Sequence, residues 1–172
     1  MLSSPEIPDL AESFPFSEET EHAFAVMLRS IRRVGERVSY HYLFFADDQE
    51  KRRLVRRLKD WERQGKLPAL AFLKASADRP EAIWIAQGEI LDRSCHGEPA
   101  PRGIVFEDLD AVIVADKRCG TAFLSDFNMS VDTLQALRGP VFYLIPLQET
   151  RFMRQSMPDA FDRRTSAIEL RS

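Results

Sequence analysis

The sequence predicts an α+β protein of 172 residues, with a helical and hairpin N-terminal half and a small β-rich C-terminal half that holds one helix. Three observations predict this class. Two segments near the N-terminus repeat apolar residues at i, i+3, i+4 and i+7, the period of one helix face. Short apolar runs bounded by turn residues follow them, as is typical of strands. Glycines and prolines without periodicity then indicate a linker between the halves.

Shifts in composition set the expected boundaries. Residues 1–16 contain three prolines and are expected to form an extended arm. The remaining segments are the N-terminal half (17–91), the linker (92–103), the β-rich half (104–149) and an arginine-rich tail (150–172).

The first helix is predicted to begin after Ser17, a residue type that caps helix N-termini with its hydroxyl oxygen. Glutamates follow in the first turn, where the helix dipole favours negative charge. Gly35 marks the expected C-terminal end, because glycine adopts the left-handed conformation that often closes a helix.

A second helix is predicted from a cap in residues 47–48 to about Gln64, with Gly65 beyond it. Its buried stripe is expected to contain Leu54, Leu58 and Trp61. The aromatic run before it, residues 38–45, fits either a strand or a short buried helix, because eight residues do not separate the two periods.

A strand is predicted over residues 66–75, and a charged turn leads to a returning strand over residues 82–86. Trp61 on the second helix and Trp84 on the returning strand should both be largely buried, because their large apolar side chains occupy periodic positions. In the second half, a short helix is expected over residues 131–137. The strands expected there cover residues 104–107, 110–116, 121–127 and 141–147.

Composition excludes several classes of protein. A net charge of −3 argues against a uniformly basic nucleic-acid coat, and the seven glycines form no phosphate-binding loop. Two cysteines cannot make a disulfide framework. Neither a secretory signal nor an apolar run long enough to cross a bilayer is evident, so the expected location is the cytoplasm, away from membranes.

Motifs for catalysis and metal binding are weak. Cys95, His96 and Cys119 lack the paired spacing of a zinc site, so no metal and no cofactor are expected. Ser39 and His41 are close in sequence, but no turn presents them as a nucleophile and its base. The acidic residues Glu107, Asp108, Asp110 and Asp116, with Lys117, do not match the spacing of a magnesium-dependent nuclease and are expected to cap turns. No catalytic residue is therefore assigned, although an enzyme without a readable motif remains a third possibility.

The basic surface of the second helix has a plausible mechanism. Arg52, Arg56, Lys59 and Arg63 are spaced to share the face opposite the buried stripe. Between residues 29 and 66 there are 12 basic and six acidic residues, a net charge of +6, so the remainder of the chain carries −9. This polarity is typical of a nucleic-acid-facing module on an acidic body.

The order of elements strengthens this hypothesis: helix, short aromatic segment, basic helix, Gly65, strand, a charged turn with Asp78 and Arg79, and strand. The segment resembles the recognition helix and wing of MarR-like winged-helix regulators. The resemblance implies a winged-helix-like half in a non-enzymatic regulator that binds double-stranded DNA as a dimer, although both expected wing strands are unusually apolar. It places Arg79 at the wing tip, and Arg53 and Arg79 are both expected among the DNA contacts. The apolar strands leave open an α/β sheet in which residues 70–73 and 83–85 are core strands.

The tail supports an alternative function. Phe152, Met153, Met157 and Phe161 are more apolar than a disordered tail usually is. We therefore expect the tail to extend from the body and dock on another chain, most simply a second copy. In this alternative the protein is an adaptor, chaperone or inhibitor that uses its apolar β-half and its tail.

Overall fold

Parallel strands form one central sheet in the computed structural model, which describes residues 15–120, 122–129 and 131–170. The described strands are β1 (Ser39–Phe45), β2 (Leu70–Leu73), β3 (Gly103–Phe106), β4 (Pro140–Pro146) and β5 (Ser166–Glu169). Their spatial order is β2-β3-β4-β1-β5, so the first strand lies inside the sheet. It pairs with β4 from Ser39–Pro140 to Phe45–Pro146 and with β5 on its other side.

Helices connect the strands, as parallel pairing requires. They are α1 (Glu18–Val34), α2 (Asp48–Arg63), α3 (Ala82–Cys95), α4 (Leu109–Cys119), α5 (Phe123–Met129), α6 (Thr150–Ser156) and α7 (Pro158–Asp162). Short 3-10 helices cover Val131–Ala136 and Leu147–Glu149. The structure is thus a mixed α/β fold around a five-stranded parallel sheet. This confirms the expectation that the chain combines helices with strands.

Successive side chains along each strand point to opposite faces of the sheet, so the protein has one hydrophobic core on each face. On one face, Leu43 and its neighbours pack beneath α1 and α2. On the other face, Tyr42 and Tyr143 lie among side chains from α3 to α7. Long apolar strands buried on both faces are typical of parallel sheets.

The two N-terminal helices are confirmed. The Ser17 hydroxyl accepts the Thr20 backbone N–H at 3.3 Å, and the Asp47 carboxylate accepts that of Glu50 at 2.8 Å. Gly35 closes α1 with a φ of +66°, a value that favours glycine. Trp61 is buried as expected, at 5% exposure.

The winged-helix arrangement is wrong. Residues 39–45 form an interior strand that shares a sheet with the C-terminal half, and residues 82–86 begin α3 instead of a returning strand. A run of five apolar residues fits either a strand or a helix that lies on a sheet. Trp84 is consequently half-buried on α3, where its ring stacks on Phe127 with centroids 5.1 Å apart.

Two further strands expected in the second half are helices. Residues 110–116 belong to α4, whose buried positions Leu109, Val112, Ile113 and Asp116 keep helical spacing. Residues 123–127 belong to α5, while residue 121 of that expected strand lies outside the described residues. The Asp116 carboxylate starts α5 by accepting the backbone N–H groups of Phe123 and Leu124.

The tail does not extend from the body, which overturns that expectation for residues 150–170. These residues form α6, α7 and β5, and β5 is an edge strand of the sheet. Within the 92–103 segment, residues 92–95 finish α3 and Gly103 begins β3. Most of the expected N-terminal arm lies outside the described residues. None of the helices in the described ranges has the length and apolar character needed to cross a membrane.

Candidate functional site

A groove of about 910 Å³ runs along α2, between this helix and the edge strand β2. The four cations expected on the second helix all line it and all are exposed: Arg52, Arg56, Lys59 and Arg63. The opposite side of α2 carries the buried residues Leu54, Leu58 and Trp61. The amphipathic pattern therefore determines which face of the helix forms the groove wall.

Phe72 of β2 provides an aromatic surface in the groove. Its side chain is partly buried against the core beneath α1 and α2. The Lys59 ammonium lies 5.0 Å from the centre of the Phe72 ring, a distance suited to a cation–π contact. Sequence reasoning missed Phe72 because an apolar run does not show which strand lies at the edge of a sheet.

One end of the groove reaches the carboxyl edge of the sheet, where an ion-pair cluster joins three elements. Lys51 Nζ lies 2.9 Å from an Asp108 oxygen and 2.8 Å from an Asp110 oxygen. Burial disfavours the charged ammonium, but the hydrogen bonds to both aspartates outweigh it and raise the pKa of Lys51 above its usual value. Asp108 also accepts the Ala75 backbone N–H at 3.0 Å, so it fastens the chain after β2 to α2.

The carboxyl edge is where open α/β sheets commonly bind ligands, often with a phosphate at a helix N-terminus. Here the chain's own carboxylates occupy that position. Asp47 caps α2, and Glu50 accepts the Ala46 backbone N–H at 2.7 Å. These negative charges oppose a phosphate at the N-terminus of α2, whereas the four cations lie farther along the helix.

Two other residues expected to contact DNA lie outside this groove. Arg53 donates to the Pro15 carbonyl at 3.1 Å, and its guanidinium lies 4.2 Å from the centre of the Phe16 ring. Arg79 follows β2 in a turn, 3.8 Å from Glu81. There is no hairpin wing to carry Arg79 because α3 replaces the returning strand.

The structure does bring Ser39 and His41 together, with 2.8 Å between Ser39 Oγ and His41 Nε2. Ser166 Oγ lies 2.7 Å from the other ring nitrogen. Burial lowers the pKa of His41 to about 4, so the ring is neutral near pH 7. His41 is fully buried and Ser39 is 2% exposed, so no substrate reaches this pair and it joins β1 to β5 instead.

The other polar candidates remain dispersed. Cys95 and Cys119 are free, exposed thiols. His96, which caps the C-terminal end of α3, has its Nδ1 atom 3.4 Å from an Asp92 carboxylate oxygen. Within the described residues, no group of three or more His, Cys, Asp or Glu side chains is placed to hold a metal ion.

The expected partner-binding residues belong mainly to the chain's own core. Met153 and Met157 are fully buried, and Phe161 is 3% exposed. Phe152 is half-buried, with the Lys117 ammonium 5.0 Å from its ring centre. A partner surface built from this set is therefore not supported.

Comparison with known proteins gives no match: no protein-family model matches the chain, and no curated protein or solved structure is significantly similar to it.

Proposed function

We propose that the protein is a non-enzymatic nucleic-acid-binding protein that holds a single strand in the groove along α2. The observation that carries this proposal is the placement of Arg52, Arg56, Lys59 and Arg63 along one concave surface. Lys51 and the carboxylates of Asp48, Glu62, Glu107 and Asp108 also line it. Basic grooves that follow a phosphate backbone, together with an aromatic surface, are the usual means of binding single strands.

The length of the basic row fits several nucleotides. Arg52 and Arg63 are eleven positions apart on one helix, which corresponds to about 16 Å along its axis. This length is comparable to about four or five stacked nucleotides at 3.4 Å each. Phe72 beside Lys59 offers an aromatic group to a base of that strand.

The setting of α2 favours a single strand over a duplex. Recognition of a duplex by a helix requires the helix to enter the major groove. Here α1 lies against one side of α2. The Arg57 guanidinium of α2 is 2.7 Å from a Glu21 carboxylate oxygen of α1, and the ring centres of Phe24 and Trp61 are 5.3 Å apart. Because β2 borders the other side, the cations line a depression and do not project from a free helix.

Charge reversal in the groove tests this function. We expect the variant Arg52→Glu/Arg56→Glu/Arg63→Glu to bind a labelled oligonucleotide of about 12 nucleotides at least tenfold more weakly, because like charges replace phosphate contacts. Fluorescence anisotropy at low salt measures the affinity, and circular dichroism checks that the variant is folded.

The matched control is Arg93→Glu/Arg118→Glu/Arg151→Glu, which makes the same change in net charge. These residues are exposed on α3, α4 and α6, the helices that pack on the other face of the sheet. The control should retain most of the affinity. Equal losses in both variants would show that net charge alone attracts the oligonucleotide, and the groove would lose its assignment.

A further inference from the structure

A second depression lies at the amino edge of the sheet, where the loops before β1, β4 and β5 meet. Its volume is about 790 Å³, within the range of small-molecule pockets. Three arginines line it, one from each loop: Arg37, Arg138 and Arg163. Glu36 is its acidic lining residue, and Glu36 lies 3.6 Å from Arg102.

Two of the three guanidinium groups lack a compensating carboxylate. In the described part of the chain, neither Arg37 nor Arg138 is within ion-pair distance of an acidic side chain. Arg163 does pair with Asp132, whose side chain is 67% exposed. The depression is therefore positively charged, and a planar guanidinium group can donate two parallel N–H hydrogen bonds to the oxygens of a phosphate or a carboxylate.

A buried hydroxyl provides an independent sign of a ligand. Tyr40 lines the depression at 6% exposure, and its hydroxyl lies near the Arg163 guanidinium without a hydrogen bond of ordinary geometry to any described residue. Burial raises the pKa of Tyr40 even though the nearby Arg163 opposes this shift, so the phenol remains a donor. Buried polar groups are nearly always satisfied, and an unpaired one calls for a water or ligand.

The backbone around Tyr40 is held firmly. The Tyr40 N–H donates to the Thr165 hydroxyl at 3.0 Å, and the Thr165 N–H donates to the Tyr40 carbonyl at 2.7 Å. These two bonds connect the start of β1 to the loop that carries Arg163. The Arg102 side chain likewise donates to the Arg138 carbonyl at 3.1 Å. These bonds connect the loops that carry Arg138 and Arg163 to neighbouring segments of the chain through backbone groups.

We propose that this depression is a binding site for a small phosphorylated ligand, with Arg37, Arg138 and Arg163 contacting its phosphate oxygens and Tyr40 donating to one of them. Val38 and Leu137 line the same depression and provide an apolar wall for the organic part of such a ligand. This site uses none of the residues of the α2 groove.

Calorimetric titration of the full chain with pyrophosphate tests the site. We expect saturable binding that weakens at least tenfold in Arg37→Gln/Arg138→Gln and several-fold in Tyr40→Phe. The control Arg118→Gln/Arg151→Gln should bind as the unmodified chain does. Thermal melting without ligand verifies that each variant is folded.

Two further arms sharpen the result. The groove variant Arg52→Glu/Arg56→Glu/Arg63→Glu should keep its pyrophosphate affinity, so this test succeeds or fails independently of nucleic-acid binding. Succinate should bind at least tenfold more weakly than pyrophosphate. Absence of saturable binding, insensitivity to Arg37→Gln/Arg138→Gln, or equal affinity for succinate would overturn the proposal.

Discussion

His41 shows how a polar side chain is accommodated inside the sheet. Both ring nitrogens contact serine hydroxyls, so one nitrogen donates and the other accepts. Phe142 lies beside the ring, with centroids 5.4 Å apart. Protonation would place a charge in a site whose partners are neutral, which is why burial holds the pKa of His41 at about 4.

This pKa predicts acid sensitivity. The unfolded chain takes up a proton at His41 below about pH 6.5, whereas the folded chain resists until about pH 4. The free energy of unfolding should therefore fall as the pH drops through this window, by on the order of 3 kcal/mol from His41 alone. Denaturant unfolding at a series of pH values measures it.

The variant His41→Gln isolates the contribution, because the remaining titrating groups are shared. Its free energy of unfolding should decline less steeply between pH 6.5 and pH 4 than that of the unmodified chain. His96→Gln, at an exposed position, should retain the steep decline. Parallel curves for His41→Gln and the unmodified chain would contradict the assignment.

At the scale of elements, α1 and α2 were predictable because each combines a cap with several turns of apolar periodicity. Ser17 and Asp47 mark their starts, and Trp61 lies on the expected buried stripe. Helices α3 and α4 were not predictable in the same way. Short Ile- and Val-containing runs within them match the composition of strands, and only packing on the sheet selects the helix.

The tail elements α6, α7 and β5 carry a prediction about stability. A chain that ends at Thr150 loses the buried side chains of Met153, Met157, Phe161 and Ile168. Removing one large core side chain typically costs about 2–5 kcal/mol, and a whole domain is stable by only about 5–15 kcal/mol. We therefore expect this truncated chain not to fold.

Near-ultraviolet circular dichroism and thermal melting test the truncation. The spectrum of the chain ending at Thr150 should lack fixed aromatic signals, and its cooperative melting transition should be absent. A chain ending at Leu170 keeps every described element and serves as the control. Equal melting of the two chains would show that the tail is not part of the core.

At the scale of the whole molecule, the sheet joins segments that the sequence separates. Strand β1 contacts β4 and β5, about 100 and 125 residues away along the chain. Local patterns predicted β1, β2, β3 and β4 as extended or ambiguous runs, but they contain no information on partners so distant. The winged-helix reading failed for this reason, since it paired residues 66–75 with the neighbouring run 82–86.

Part of the candidate groove was predictable from the sequence, and part of it was not. The row Arg52, Arg56, Lys59 and Arg63 followed from helical spacing alone. Phe72 and the Lys51–Asp108–Asp110 cluster required the fold, because their elements meet only in the sheet. The position of Arg53 over the Phe16 ring also required the fold, because the sequence suggested only that Arg53 would contact DNA.

The salt dependence of oligonucleotide binding tests the central claim most directly. Four cations that each neutralise one phosphate of a single strand predict a log–log slope of about −3 between affinity and salt concentration. A slope near that value, with tighter binding of a single strand than of its duplex, is the expected result. Binding that is absent at low salt, or that does not change with salt, would contradict the account.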